Sequence, residues 1–333
     1  MKAAQIKKYS KEVQITLNDL PMPEVGPSEV LVKVKAAAVN PLDQLILKGS
    51  IRLIQDYPMP LTLGNECAGI VERTGAGVSR FKAGDKVYAY LPLNKIGAFA
   101  EYVAVDQHAL AFMPEDCDFL TASAIPLTGL TAYQAFTEEL EAKPGQTVLI
   151  AGGSGSFGEM AVPLAKALGL HVIVSGNERS KAHFLSRGAD RYIDYRKENY
   201  WEVLPEVDHV IDAIGAKEFV HELSVLKKGG RLLSLRSIPN KKYAERNGFS
   251  FFKKWLFAAA GAYYDYKARK QGKEYRFMFV RADGKQLEKI TCIVEKNHLR
   301  PRISPQVFSL AQTAEALRYQ SQGHPDGKVV IRL

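Results

Sequence analysis

The chain has 333 residues, 46% hydrophobic and 24% charged, a composition that excludes a disordered tract and is long enough for two domains. Its formal charge is +9, and the span from Lys241 to Arg276 holds ten Lys/Arg against three acids, so +7 of the excess lies in one segment. Three widely spaced cysteines, Cys67, Cys117 and Cys292, form no CxxC pair, which argues against a disulfide framework and a structural zinc site and fits a reducing, cytoplasmic setting.

The first residues, MKAAQIKKYSKEV, are polar and mixed, so no secretory signal is expected. The first third then reads as short strands between turns. EVLVKVKAAAV alternates up to Val34 like a half-buried strand, and AGIVERTG, GDKVYAY and GAFAEYVAV follow beside glycine turns. DCDFLTASAIPLTGLTAYQAFTEEL has helical spacing, broken near Pro126 and Gly129. From Gln146 the rhythm is β-α-β. TVLIAGG is a continuous apolar strand, GEMAVPLAKALG a helix closed by Gly169, HVIVSG a strand, RSKAHFLSRGA a helix, and RYIDY, DHVIDAIG and GRLLSL are further strands. The alternation predicts an α/β doubly wound parallel sheet.

After that sheet comes the basic segment 241–276. Such a segment attracts nucleic acid, an anionic membrane or an anionic ligand, but a solvated helical surface is the plainer expectation. Its longest mostly apolar run, Trp255 to Tyr264, is too short to cross a bilayer. RFMFV then reads as a strand, ADGKQLEKITCIVEKN as a helix with Leu287, Ile290, Ile293 and Val294 on one face, AQTAEALRYQSQG as a helix closed by Gly323, and GKVVIRL as a last strand.

Gly153-Ser154-Gly155-Ser156-Phe157-Gly158 is a GxGxxG between a buried strand and a helix, the context in which the pattern binds a dinucleotide. A pyrophosphate must approach backbone N–H groups at a helix N-terminus, and glycine removes the side chain that would block it. The tip of the next strand is Ser175, Gly176 and Asn177, with no carboxylate there to hold a ribose 2′-hydroxyl. Arg179, Ser180 and Lys181 follow, a set suited to a 2′-phosphate, so NADPH is favoured over NADH; Glu178 is the one residue that points the other way.

VNPLD (Val39–Asp43), LGNECAGIV, GDKVYAY, GAFAEYVAV, PLTGLTAYQAF and the glycine loop, in that order, resemble the medium-chain dehydrogenase/reductase superfamily, and within it the zinc-free, zeta-crystallin-like quinone oxidoreductase branch. The resemblance covers nearly the whole chain. It implies a β-rich GroES-like substrate domain made of residues 1–121 and 281–333 and a Rossmann NADP(H)-binding domain of residues 122–280 that carries the basic insertion. The zinc enzymes of the superfamily take catalytic ligands from a C-x-x-D stretch, a G-H-E stretch and a Cys before a T-x-Y helix. The matching positions here are Asn40, Asn65 and Leu127, none of them a good zinc ligand, and the four-Cys structural lobe is missing too, so no metal is expected.

The implied activity is NADPH-dependent reduction of quinones in the cleft between the domains. A 2-alkenal or enone reductase is the nearest alternative, and a non-catalytic NADPH-binding redox sensor or RNA-binding protein the more distant one, although no nucleic acid is expected. By the same resemblance Asn40 faces the substrate near the nicotinamide. Thr128 and Thr131 lie by the phosphate-nicotinamide half, Tyr195 near the adenosine phosphate, Phe279 and Val280 at the carboxamide, and Lys328 beside the site. Asp43 and Glu66 are expected to be structural, Glu66 with no obvious partner once zinc is gone. Tyr57 and Tyr90 are candidates to stack on a flat acceptor, and His108, His209 and His221 are structural or on the surface. A homodimer made by edge strands such as RFMFV is implied by the family alone. The basic segment is expected to be a lid or packing element first, then an oligomer contact or a peripheral membrane patch.

Overall fold

The computed structural model describes residues 1–322 and 325–333. Gly323, expected to close a helix, lies outside the described residues, and that helix runs Thr313–Gln322. The chain divides into two compact units, Met1–Leu130 with Arg281–Leu333, and Thr131–Val280. Among the described residues no helix is long and apolar enough to cross a membrane.

In the first unit a seven-stranded sheet runs in the order Ile303–Ser309, Lys328–Arg332, Glu29–Ala38, Glu66–Thr74, Lys86–Tyr90 and Leu110–Phe112, with Tyr102–Asp106 also pairing Glu29–Ala38. The central strand Glu29–Ala38 is the one read as half-buried from its alternation. Lys33 is exposed and Lys35 half-buried between buried Val32 and Val34, as the alternation predicts, while Ala36, Ala37 and Ala38 are all buried, where two other strands pair along them. The last strand of the chain pairs antiparallel with its end, Val330 opposite Ala38 and Arg332 opposite Ala36. Gly69 in Glu66–Thr74 is required by close approach, since a Cβ there would sit 2.3 Å from the Lys33 carbonyl oxygen.

Helices Phe119–Ser123 and Pro126–Gln134 follow, and the second carries the chain from the first unit into the other. Gly129 was expected to break this stretch, but it lies inside the helix, where an added Cβ would come 3.2 Å from Ile290. Its role is contact with the helix Gly284–Lys296, whose Leu287, Ile290 and Val294 are buried.

The second unit is a six-stranded, wholly parallel sheet in the order Arg191–Asp194, His171–Gly176, Thr147–Ala151, Val207–Asp212, Leu226–Ser234, Glu274–Phe277. Numbered within the unit, that order is 3-2-1-4-5-6, the Rossmann arrangement. Val148, Leu149 and Ile150 are completely buried, as an apolar run covered on both faces must be. The last strand is Glu274–Phe277 and not RFMFV. It pairs with Arg231–Ser234 from Glu274 to Phe277 and stops there, where the Ser234 hydroxyl turns to Asp212. Met278, Phe279 and Val280 run on beyond the strand.

The basic segment forms two helices, Lys241–Arg246 and Phe251–Lys270, as the crossover between the last two strands. Phe257, Gly261 and Ala268 are the buried face of the longer one. A Cβ on Gly261 would lie 2.6 Å from Asn240 Cβ, so only glycine lets the helix approach this closely. Asn240 caps the shorter helix at Tyr243 N and donates from Nδ2 to Asp265 Oδ1 at 2.8 Å, which ties the two helices together.

Candidate functional site

The first unit buries a polar cluster around Asn40, Asn65 and Leu127, the positions that the sequence resemblance matches to zinc ligands. Asn40 is the N-cap of the helix Pro41–Leu47 in a capping box with Asp43, and the Asn40 N–H donates to Asp43 Oδ2 at 2.7 Å. The sequence Asn-Pro-Leu-Asp produces this locally: an Asx cap, a proline whose missing N–H is no loss in the first turn, and an acid at the third helical position. Glu66 opens the strand Glu66–Thr74 and is fully buried. Its Oε1 accepts from Lys328 Nζ at 2.9 Å and from Asn40 Nδ2 at 2.8 Å. Its Oε2 accepts from the Leu127 N–H at 2.7 Å.

Glu66 therefore has three partners where the sequence alone offered none. Lys328, from the last strand, also donates to Asn40 Oδ1 at 2.5 Å, and its side chain is only 3% exposed. The Asn40 amide is thus engaged at both ends, with Nδ2 reaching the Ala38 carbonyl as well. Asp43 Oδ1 accepts from Asn65 Nδ2 at 2.6 Å. Burial pushes the Asp43 carboxyl up to about 7, against the pull of the Asn40 and Asn65 donors. Asn65 Oδ1 is buried with no hydrogen-bond partner among the described residues.

This donor set does not fit a zinc ion. It presents one amide, a leucine backbone N–H and the Lys328 ammonium around Glu66, while Asn65 donates to Asp43, and the positive charge that a metal would bring is already supplied by Lys328. Among the described residues no three of His, Cys, Asp and Glu gather as a metal site. Cys67, one position on, is buried and its thiol is pushed up to about 12 by burial, so it is held as an inert thiol. Tyr57 and Tyr90 are buried, Tyr57 donating to the Leu93 carbonyl at 2.6 Å. Thr128 donates back along its helix to the Ala124 carbonyl at 3.1 Å.

The second unit carries the glycine loop directly after the strand Thr147–Ala151, at the point where the strand order reverses. A Cβ on Gly153 would meet Ile150 at 2.8 Å and one on Gly158 would meet the Gly153 carbonyl at 1.8 Å. These two glycines are required by the turn itself. A Cβ on Gly155 would find nothing within 4 Å. Gly155 is also the N-cap of Ser156–Ala167 and offers no side chain to its first N–H groups. An exposed helix N-terminus with open space above its cap fits a pyrophosphate. Phe157 is half-buried at the helix start.

The strand His171–Gly176 ends beside this loop. Gly153 N donates to the Ser175 carbonyl at 3.0 Å, and Asn177 Nδ2 to Ser154 Oγ at 3.3 Å. Asn177 Oδ1 accepts from Ser180 N and Oγ at 3.2 and 3.1 Å, so Asn177 and Ser180 shape the turn. Glu178 pairs with Lys197 at 2.8 Å, and its charge is taken up there. Arg179 is exposed, Lys181 half-buried, and neither makes an ion pair among the described residues. Tyr195 is 55% exposed and donates its N–H to the Gly176 carbonyl at 3.2 Å. Thr131 is buried, and Phe279 and Val280 are half-buried at the end of the unit.

Sequence reasoning missed Asp212. It ends the strand Val207–Asp212 next to the loop-bearing strand and accepts from Ile214 N, Gly215 N, Ser234 Oγ and Ser237 Oγ at 2.6 to 3.0 Å. The Asp-x-x-Gly spacing after a strand was the available signal for this Asx turn. His209 is buried and shares a hydrogen bond of 3.0 Å with Gln146 Oε1, and His221 stacks on Trp201. Both are structural.

The sequence matches the Alcohol dehydrogenase GroES-like domain family over residues 26–115 and the Zinc-binding dehydrogenase family over residues 187–331. It is 29% identical to the chloroplastic NADPH-dependent alkenal/one oxidoreductase of Arabidopsis thaliana, over 94% of this chain and 74% of that protein. It is 30% identical to the quinone oxidoreductase of Homo sapiens, over 71% of this chain and 73% of that one. The fold matches the quinone oxidoreductase of Coxiella burnetii with a TM-score of 0.84 and 27% identity, covering 100% of this chain and 99% of the other. The chain belongs to the medium-chain dehydrogenase/reductase superfamily, as an oxidoreductase of the branch that holds quinone oxidoreductases and alkenal reductases.

Proposed function

We propose that the protein is an NADPH-dependent, zinc-independent reductase of quinones. The observation that carries the reading is the buried cluster in which Lys328 and the Asn40 amide hold Glu66 and the Asn65 amide holds Asp43, where a catalytic metal would need ligands. Alcohol oxidation depends on a Lewis acid or base to draw off the hydroxyl proton. A quinone is already electrophilic and needs only a hydride and then a proton, which water can deliver. The bound nicotinamide would supply the hydride.

The chain's own residues would hold and orient. The N–H groups after Gly155 would receive the pyrophosphate, with Ser154 and Ser156 at its edge. Arg179 and Lys181, without an acidic partner among the described residues, would meet the 2′-phosphate, and Tyr195 would border the adenosine phosphate. Thr128, Thr131, Phe279 and Val280 would line the nicotinamide half. Asn40 and Lys328 would act through the polarity of their buried cluster. 2-Alkenals and enones are the second reading, favoured by the likeness to the alkenal/one oxidoreductase over 94% of the chain.

The test mixes protein, NADPH or NADH, and a panel of quinones and enals, with and without a chelator, and follows loss of the reduced nicotinamide. Quinones should be turned over with NADPH, unchanged by the chelator. Arg179→Ala should raise KM for NADPH by about tenfold and leave NADH alone. No turnover with any acceptor overturns the enzymatic reading. Chelator-sensitive turnover overturns zinc independence, and equal use of NADH overturns the assignment of Arg179 and Lys181.

A further inference from the structure

The helix Phe251–Lys270 is apolar on two sides. Its inner side packs on the unit: Phe257 against Phe249 with ring centroids 5.4 Å apart, and Tyr264 against Phe219 at 4.7 Å and Tyr275 at 5.0 Å. On its outer side, among the described residues, only Tyr263 touches other rings, Phe219 at 6.1 Å and Tyr264 at 5.5 Å, with Lys267 over it at 5.7 Å. Phe251 is 86% exposed, Phe252 66% and Trp255 61%, and Tyr263 and Tyr266 are more than half exposed. At 100° per residue these rings, with Ala259 and Ala262 between them, share one side of a rod about 30 Å long. From Phe251 to Tyr266 this side carries no charge, Arg269 and Lys270 joining it only in the last turn, whereas a solvated surface would place charges all along it. An exposed contiguous aromatic face marks an interaction surface.

Nine of the ten cations of the segment fall into two sets; the tenth, Lys273, lies past the helix and donates to the Leu223 carbonyl and Gln271 Oε1. Lys242, Arg246 and Arg276 are neutralised by Glu139 and Glu274, and Lys241 by Glu245. Lys253, Lys254, Lys267, Arg269 and Lys270 make no ion pair among the described residues. All five belong to the helix with the aromatic face. Lys253 and Lys254, half-buried, border the rings. They sit in the first turn, which holds no acid, the end of the dipole where a cation opposes the helix. Helix stability does not explain them, although Lys253 lies over the Phe249 ring at 5.4 Å. An external anionic surface does.

We propose that this outer face docks the protein on a bilayer surface carrying anionic lipid. Phe251, Phe252 and Trp255 enter the boundary between headgroups and acyl chains. The five unpaired cations meet the headgroups. A second copy of the chain is the poorer occupant, since an isologous contact through this face brings like charges together. The proposal does not depend on the acceptor being a quinone, but it would place the enzyme where lipophilic acceptors dissolve.

The test is co-sedimentation of the full chain with vesicles of phosphatidylcholine alone, and with phosphatidylserine at about one part in three. Binding should be at least about tenfold tighter to the anionic vesicles and should fall as salt is raised. Phe251→Ser/Phe252→Ser/Trp255→Ser should weaken it at least about tenfold. Lys253→Glu/Lys254→Glu should do the same on anionic vesicles and little on neutral ones. The chain has two tryptophans, so Trp201→Phe leaves Trp255 as sole reporter, and its emission should shift to the blue when anionic vesicles are added. Absence of binding to either vesicle overturns the proposal, as does unchanged binding by the aromatic variant. So does a dimer that the aromatic variant dissolves, or an RNA affinity that it abolishes, without vesicle binding. A changed KM for a water-soluble acceptor without vesicle binding would make the face a lid and overturn it as well.

Discussion

Lys328→Met tests whether the cluster around Glu66 is held by a buried ion pair. Methionine keeps most of the stem and removes the ammonium. The variant loses the 2.9 Å pair with Glu66 and the 2.5 Å donation to Asn40 Oδ1. Glu66 keeps two donors, Asn40 Nδ2 and Leu127 N, but its charge stays in a place with no solvent exposure. Breaking a buried pair by removing one partner costs about 3–5 kcal/mol. For a domain of this size that is a fall in melting temperature of roughly 10 °C. Because the chain has two units, the thermal scan should be paired with amide exchange in Ala36–Ala38 and Val329–Ile331, strands that the substitution loosens directly. Adding Glu66→Gln should recover about 2 kcal/mol, since it removes the stranded charge. A single-variant loss below about 1 kcal/mol, or strictly additive costs in the double variant, would refute the buried pair.

Three more outcomes follow from described geometry. Gly155→Val should leave the melting temperature nearly unchanged, because its Cβ meets nothing within 4 Å, yet weaken NADPH binding at least about tenfold by filling the pyrophosphate approach; Gly158→Ala should instead destabilise the unit itself, its Cβ falling 1.8 Å from a carbonyl oxygen. His209 is held down to about 4 by burial, so below its unfolded value of about 6.5 the unfolded chain binds the proton and the folded one does not. Stability should therefore fall by about 3 kcal/mol between pH 6.5 and 4, and His209→Gln should flatten that part of a denaturation-midpoint curve. A thiol reagent should label Cys292 rapidly in the native protein and leave Cys67 untouched, since Cys292 is exposed and Cys67 buried with a raised thiol; labelling of Cys67 at a comparable rate, read by peptide mass, would contradict its burial.

What was legible in the sequence was local. TVLIAGG, the glycine loop and its helix announce themselves because a strand buried on both faces, a tight turn and a helix start each need particular residues within a few positions. The strand tip at Ser175–Asn177 was legible for the same reason. The partner of Glu66 was not, because Lys328 lies in the last strand and only the pairing of that strand with Ala36–Ala38 brings it in. The alternation in EVLVKVKAAAV was legible too, with Lys33 exposed between buried Val32 and Val34, but the burial of Leu31 on the opposite face was not. RFMFV looked like the strand because it is the apolar part. The ladder is four residues long and begins at Glu274, where Arg231 and Lys242 hold the carboxylate. In the basic segment charge was visible, but which cations find partners depends on Glu139 and Glu274, far away in sequence.

The position of Lys328 bears on how the chain matures as it is made. The unit Thr131–Val280 is continuous and has all its strands once residue 280 is out. The other unit is interrupted, and Glu66 waits for a counter-charge that is translated 262 positions later. At ribosomal rates of about 5–20 residues per second, that is a delay of roughly 13–52 seconds. During it a carboxylate and the open edge at Ala36–Ala38 stay wet and reachable by chaperones or neighbouring nascent chains. A ribosome that stalls before the final strand would release a finished nucleotide-binding half joined to an unfinished partner, a species that quality control could tell from the mature enzyme by that exposed edge.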